Sequence, residues 1–393
     1  MLYVLLTWLL WPILRALVCR RAARRPGSAT RFLVVQTAKI GDLVYTTPLW
    51  RVIKTTRPDA RVTLLANPAA APLVATDGQL DEIHTVEAVA LRGLAGKWRL
   101  TSLIRRGRYD VALCLTPSLG LAVALLWGLV PRVILLVPDV AGGTFRALAR
   151  LAVQVSHRRG EPLAQAYARL AAAAGVAGDM RCRTLLPPQG ARERVQEFLE
   201  ARRVPPGAVL VGIAPAAGNP VKQWLPERVA ALADRIVADG GARVVFIGSE
   251  ADRGLVGAIL ERMAASSRAA SIDAAGAFGL QDLPGLLSRL TLLISADSGP
   301  LHIAEAVGVP AVIIGGPADL SERDLRTEHI LVQPDLPCVP CVSAFAAPYT
   351  CPLQHHRCIE DTTVAEVWAA VRTMLQKLEG SNGGDPARQG RLP

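Results

Sequence analysis

Aromatic side chains are scarce in this chain, at 5% of 393 residues. Lysine is scarcer: of 44 basic residues only Lys39, Lys54, Lys97, Lys222 and Lys377 are lysines. Basic and aromatic residues are nowhere interleaved as a nucleic-acid groove requires, so no nucleic-acid partner is expected. Acidic residues are absent from residues 1–31, which carry Arg15, Arg20, Arg21, Arg24, Arg25 and Arg31, more than half of the formal net charge of +11. A basic excess confined to one stretch suits anionic lipid headgroups. The apolar opening, residues 1–18, lacks a basic leading region and a small-residue cleavage site, which argues against a cleaved signal peptide. It is short for a membrane span and is interrupted by Pro12 and Arg15. Trp8 and Trp11 favour the membrane interface. Two readings follow for residues 1–27: a membrane-surface or re-entrant anchor with its arginines toward the cytoplasm, or a helix packed on the protein itself.

What the chain has in quantity is apolar residues, 51% of the total, enough for two domains with separate cores. Apolar runs alternate with helical patterns, which predicts an α/β fold with parallel sheets. In the first half, strands are predicted at Arg31–Gln36, Val62–Ala66, Glu82–Val86, Asp110–Leu115 and Arg132–Val137, with helices at Leu43–Thr56 and residues 161–175. The second half restarts with strands at Ala208–Ala214, Arg243–Ile247, near Ser271, Leu290–Ile294 and Pro310–Ile314. A terminal helix is predicted at Thr363–Leu378. Pro187-Pro188 and Pro205-Pro206 bracket a charged helix at Ala191–Arg203 and mark the boundary. The expected division is therefore an N-terminal domain at 28–188, a C-terminal domain at 205–378, and a polar, disordered tail at 379–393. Two such domains in tandem leave a cleft between them, a common ligand location.

Four loops at strand ends carry polar groups that can converge. The segment Ser295-Ala296-Asp297-Ser298-Gly299-Pro300-Leu301-His302 joins a buried strand to a helix, a geometry that aims backbone N–H groups at an anion. Asp297 or Ser298 can cap that helix, and Pro300 suits its first turn. His302 then stands near enough to donate to a phosphate or sugar. In the loop Thr37–Asp42, Asp42 follows Gly41 at a helix start. It can serve as a general base or simply as an N-cap. Lys222, alone between Lys97 and Lys377, lies in a Gly/Pro loop and suits a diphosphate. After Arg243–Ile247, Glu250 is the candidate ribose contact and Asp252 a helix cap.

Four stretches carry a resemblance to a known family: VVQTAKIGDLVYTTPLWRVIK, PAAGNPVKQWLPERVAALA, FIGSEAD and ISADSGPLHIAEAVGVPAV. Together and in this order they resemble the lipopolysaccharide heptosyltransferases of glycosyltransferase family nine. The resemblance implies a GT-B fold of two Rossmann-like domains, with the acceptor on the N-terminal half and the nucleotide sugar on the C-terminal half. It implies an inverting transfer of a sugar, a heptose from ADP-heptose, onto a lipopolysaccharide-core or related glycolipid at the cytoplasmic face of the inner membrane. By motif, Asp42 resembles the catalytic base and Lys222 the group that neutralises the leaving diphosphate. Glu250, Asp297, Ser298, Gly299 and His302 resemble the nucleotide-sugar seat. Thr37-Ala38-Lys39 stands where the family usually has a Ser-Ser or similar pair. No Asp-x-Asp pair stands out in these loops, so no catalytic metal is expected. Alternative readings are a UDP-hexose transferase, a protein O-heptosyltransferase, a sugar-nucleotide epimerase, and a non-catalytic nucleotide-sugar-binding scaffold.

Cys338, Cys341, Cys351 and Cys358 lie within one loop, 338–358, spaced C-x2-C-x9-C-x6-C. Four thiols so close can hold a structural zinc or iron, remain as reduced thiols, or form disulfides in an oxidising compartment. The stretch resembles the cysteine region of the heptosyltransferase II branch.

Overall fold

The computed structural model describes residues 2–22, 29–87, 89 and 93–382. Its contacts divide the chain into two compact units. The first holds residues 1–186 together with two short segments from the second half, Ser321–Asp324 and Ser343–Ala346. The second holds the remainder.

The first unit is built on strands β1 (Arg31–Gln36), β2 (Arg61–Ala66), β3 (Glu82–Thr85), β4 (Val111–Cys114), β5 (Arg132–Pro138) and β6 (Val153–His157). Its helices are α1 (Leu2–Ala22), α2 (Ile40–Thr56), α3 (Leu94–Gly107), α4 (Leu119–Trp127), α5 (Gly143–Ala149) and α6 (Leu163–Ala173). The sheet order is β3-β2-β1-β4-β5-β6, with every ladder parallel. In register, Val34 of β1 lies between Leu64 of β2 and Leu113 of β4. Both faces of the central strands are covered, so they read as continuous apolar runs.

The second unit repeats the plan with β7 (Leu210–Ala214), β8 (Arg243–Phe246), β9 (Ile272–Asp273), β10 (Leu292–Ala296), β11 (Ala311–Ile314) and β12 (His329–Val332). Its helices are α7 (Ala191–Ala201), α8 (Pro226–Gly240), α9 (Arg253–Arg262), α10 (Ala265–Ala270), α11 (Leu283–Leu287), α12 (Gly299–Ala306), α13 (Arg357–Glu360) and α14 (Val364–Asn382). The order β12-β11-β10-β7-β8-β9 is the same doubly wound topology, and it is parallel throughout. In such sheets the chain reverses its winding between the first and fourth strands, and ligands bind beyond the strand ends there. Those switch points are β1/β4 and β7/β10. The loops of Asp42, Lys222 and Asp297 follow the strands of these switch points.

Several expectations need correction. The edge strands β6 and β12 were not anticipated; their residues alternate or stay half-exposed and lack a continuous apolar run. The charged helix α7 belongs to the second unit, with Val195 and Leu199 buried. Helix α14 continues to Asn382, so residues 379–382 are helical, not tail. The rest of the expected tail, and residues 23–28 with the expected linker's Arg25–Ser28, lie outside the described residues.

Helix α1 is long and apolar enough to cross a membrane by length and composition. One of its faces is nonetheless packed on the first unit. Val4 joins the core cluster of α3, α4 and α5, and Leu14 is buried. The buried Thr7 hydroxyl accepts a 2.8 Å hydrogen bond from the Trp127 indole N–H. A bond of this kind contributes about 1 kcal/mol net.

Candidate active site

In the first unit, α2 begins at Ile40, three residues before the sequence pattern places it. Gly41 is therefore a buried helical residue and not a turn. Asp42 is the third helical residue, and its carboxylate reaches back to accept the Lys39 N–H at 3.2 Å. It thus helps to satisfy the orphan N–H groups of the helix start. The carboxylate remains partly exposed, and its Oδ1 lies 3.9 Å from Nη1 of Arg323.

The floor beneath Asp42 is a polar network built on Gln36, the last residue of β1. Its amide N–H group donates to the Asp42 carbonyl (3.3 Å), Thr46 Oγ1 (3.2 Å) and Tyr167 Oη (3.4 Å). Its carbonyl oxygen accepts from Thr116 Oγ1 (2.9 Å) and the Ala38 N–H (3.2 Å). Burial, and then the nearby Asp42 charge, raises the Tyr167 pKa far above the ordinary tyrosine value, so Tyr167 serves as a neutral strut. Arg323 comes from the Ser321–Asp324 segment. Its carbonyl accepts from the Tyr45 hydroxyl at 2.5 Å and from Arg183 Nη2 at 3.2 Å. Glu322 fastens the same segment by accepting from the Gly160 N–H (2.9 Å) and the Ala344 N–H (2.5 Å). None of Gln36, Arg183, Glu322 or Arg323 was singled out from the sequence. A polar residue closing an otherwise apolar strand was the one available signal, and it points to Gln36.

In the second unit, the loops after β7 and β10 meet because those strands are hydrogen-bonded neighbours. Lys222 is 8% exposed; its Nζ lies 2.5 Å from Asp297 Oδ2 and 3.2 Å from the Asp297 carbonyl. On the other side, Asp297 Oδ1 is 3.0 Å from Nε2 of the buried His302. Asp297 therefore joins Lys222 and His302 in one buried ionic group and does not cap the helix. The N-cap position of α12 falls to Ser298, whose side chain makes no capping bond and instead lies 3.0 Å from Ser295 Oγ. Gly299 opens the helix and Pro300 follows in its first turn.

Glu250 stands apart from this group. It lies in a short turn after β8, largely exposed, and pairs with Arg253 at 3.0 Å. Asp252 stands at the N-cap position of α9 but makes no side-chain capping bond there; its carboxylate accepts from the Ser249 N–H at 2.7 Å.

All seven cysteines are thiols. Among the described residues, no group of three or more His, Cys, Asp or Glu side chains is arranged to hold a metal ion. The expected tetrahedral set is thus not present as built. The four loop thiols nevertheless sense one another. Burial, and then Cys341, Cys351 and Cys338, pushes the Cys358 thiol up to about 11. Cys351 is held below the ordinary thiol value, chiefly by backbone N–H groups of His356 and His355.

Residues 97–344 match the model of glycosyltransferase family 9 (heptosyltransferase). The chain belongs to this family. Similarity to individual family 9 glycosyltransferases extends over most of its length. It is 24% identical over 283 residues to lipopolysaccharide heptosyltransferase 3 of Escherichia coli, covering 71% of this chain and 81% of the relative. Its fold is similar to that of a family 9 glycosyl transferase from Veillonella parvula, with a TM-score of 0.73 at 20% identity, covering 90% of this chain and 99% of the other. It is also similar to the E. coli ADP-heptose lipopolysaccharide heptosyltransferase II, with a TM-score of 0.69 at 20% identity, covering 89% and 100%. As a family 9 glycosyltransferase, the protein has the expected α/β fold of two Rossmann-like sheets.

Proposed function

We propose that this glycosyltransferase moves a heptose from ADP-heptose onto a hydroxyl of a lipopolysaccharide-core or related glycolipid, with inversion at the anomeric carbon. The observation that carries the reading is the buried Lys222–Asp297–His302 group at the switch point of the second sheet. An ammonium has three N–H donors. Two of those on Lys222 go to Asp297, which leaves one for a phosphate oxygen. Held by a buried carboxylate, the ammonium is already oriented for the charge that builds on a departing diphosphate. The start of α12 at Ser298 and Gly299 offers backbone N–H groups to the same charge. His302 supports Asp297 from behind, a positioning role in place of the direct donor expected from sequence. Glu250, exposed at the end of β8, is assigned the ribose hydroxyls.

In the first unit, Asp42 is the general base. It takes the acceptor hydroxyl proton as that oxygen attacks the anomeric carbon and the bond from that carbon to the diphosphate oxygen breaks. The N-terminal unit accordingly takes the acceptor and the C-terminal unit the nucleotide sugar. The apolar helix α1 and the arginines that follow support a place at the cytoplasmic face of the inner membrane, held peripherally through the N-terminal segment.

A thermal-shift series with ADP, UDP, GDP and their sugars tests the donor. A ligand at a hundred times its Kd stabilises by about 2.7 kcal/mol. ADP and ADP-heptose are expected to raise Tm by several degrees and the uridine and guanosine series to leave it unchanged. A shift with UDP-hexose alone would replace the heptose reading. Release of ADP coupled to a glycolipid acceptor then tests transfer, and no release with any acceptor would leave a binding scaffold.

The four-cysteine loop is proposed as a structural zinc or iron site. The spacing C-x2-C-x9-C-x6-C, which gathers four thiols within one loop, supports this. Protein purified without added metal is expected to contain about one zinc or iron per chain by elemental analysis. Content near zero, with all four thiols open to alkylation, overturns the proposal.

A further inference from the structure

We infer that the outer face of α1 and the start of α3 form one membrane-docking surface that lies along an anionic bilayer, instead of α1 crossing it. The inference rests on the peripheral membrane reading above and defines the surface responsible.

Helix α1 is tied down on one side. Thr7 is fully buried and bonded to the Trp127 indole, Val4 and Leu14 are buried, and Lys97 of α3 sits 4.5 Å from the Tyr3 ring centre. A spanning orientation would pull all of these out and leave a hydroxyl and an indole N–H to find new partners. The opposite side is a stripe of Leu5, Leu9, Ile13 and Leu17, spaced four apart and all exposed, Leu9 by 74%. Trp8 adds an exposed interfacial side chain. A second exposed apolar pair stands at the start of α3. Leu94 and Trp98, also four apart, are 77% and 60% exposed, and the intervening Lys97 is the residue that touches Tyr3. An apolar face of this extent on an otherwise packed domain marks a docking site.

Charge selects the occupant. Neither α1 nor α3 contains an acidic residue, while Arg15 and Arg20 lie on α1 and Lys97, Arg99, Arg105 and Arg106 on α3. A second copy of the chain would bring like charges together on this face. Anionic lipid headgroups complement them.

The test uses the full chain in flotation with phosphatidylcholine vesicles, with and without phosphatidylglycerol. Wild type is expected to float with the anionic vesicles and to be released by high salt. Leu9→Asp combined with Ile13→Asp, at positions already exposed, is expected to reduce bound protein by about tenfold or more. Trp98→Phe keeps the apolar contact and removes one reporter, so quenching of tryptophan fluorescence by bromine-labelled lipid is expected to fall. Equal quenching in Trp98→Phe and wild type would remove α3 from the surface. Binding that resists both high salt and alkaline carbonate would show a spanning helix. A dimer in sedimentation velocity that Leu9→Asp/Ile13→Asp dissolves, without vesicle binding, would show that a second copy covers the face. Transfer to detergent-dispersed acceptor, measured in the same variants, separates the two readings. Flotation lost with transfer retained supports the surface, whereas no transfer in wild type undermines the enzymatic reading alone.

Discussion

Asp42→Asn is expected to lower turnover by roughly 10²-fold or more, the scale for loss of a general base. The substitution is conservative in structure. Asn keeps an oxygen that can accept the Lys39 N–H, now at 3.2 Å, so the start of α2 should hold. In the polar floor, Gln36 and Thr46 donate to the Asp42 backbone carbonyl and Tyr167 meets Gln36, none of them bonding the carboxylate, so the floor is left intact. Stability should change by less than about 1 kcal/mol. The nucleotide seat lies in the other unit, so the thermal shift with ADP should be that of wild type. Steady-state kinetics on a genuine acceptor, with Tm measured alongside, decides the matter. Turnover near wild type would remove Asp42 from the mechanism.

Lys222→Ala is expected to act twice, and the two effects are separable. The ammonium is buried against Asp297 at 2.5 Å. Its removal leaves that carboxylate with His302 but without its strongest counter-charge. Breaking one side of a buried pair costs roughly 3 kcal/mol. For a unit of this size that corresponds to a drop in Tm of about 6–12 °C. The second effect is the loss of a charge-assisted contact to the diphosphate, worth roughly 1.5–3 kcal/mol, or about ten- to a hundredfold in affinity for ADP and in rate. Calorimetry and kinetics below the variant's unfolding transition isolate this second effect. Lys222→Arg restores the charge but not the compact single point of contact, so partial rescue is expected. A lowered Tm with unchanged ADP affinity and unchanged turnover would leave Lys222 a purely structural residue.

The sheets were legible in the sequence because parallel strands covered on both faces are uniformly apolar. Leu292–Ala296 and Leu210–Ala214 are buried at every position and stand out without any knowledge of partners. The same physics hides the edge strands β6 and β12, whose one-sided burial leaves no continuous run. Asp42, Lys222, Asp297 and His302 could be picked from the chain because each lies in the short polar stretch or first helical turn that follows an apolar strand.

Their partnerships could not be read in this way. Lys222 and Asp297 are 75 residues apart and meet because β7 pairs with β10, and only that pairing turns an apparent free cation and an apparent helix cap into one ion pair. Arg323 reaches Asp42 because a four-residue segment from the second half folds into the first unit, fastened by Glu322, Tyr45 and Arg183. The sequence of α1 likewise shows an apolar helix without acids, but its composition is equally apolar on all sides. The contacts of Val4, Thr7 and Leu14 decide which side is covered and which is left to face a bilayer. Local pattern determines which segments become strands and helices. The side chains that meet are set by long-range packing, which the period of the chain does not encode.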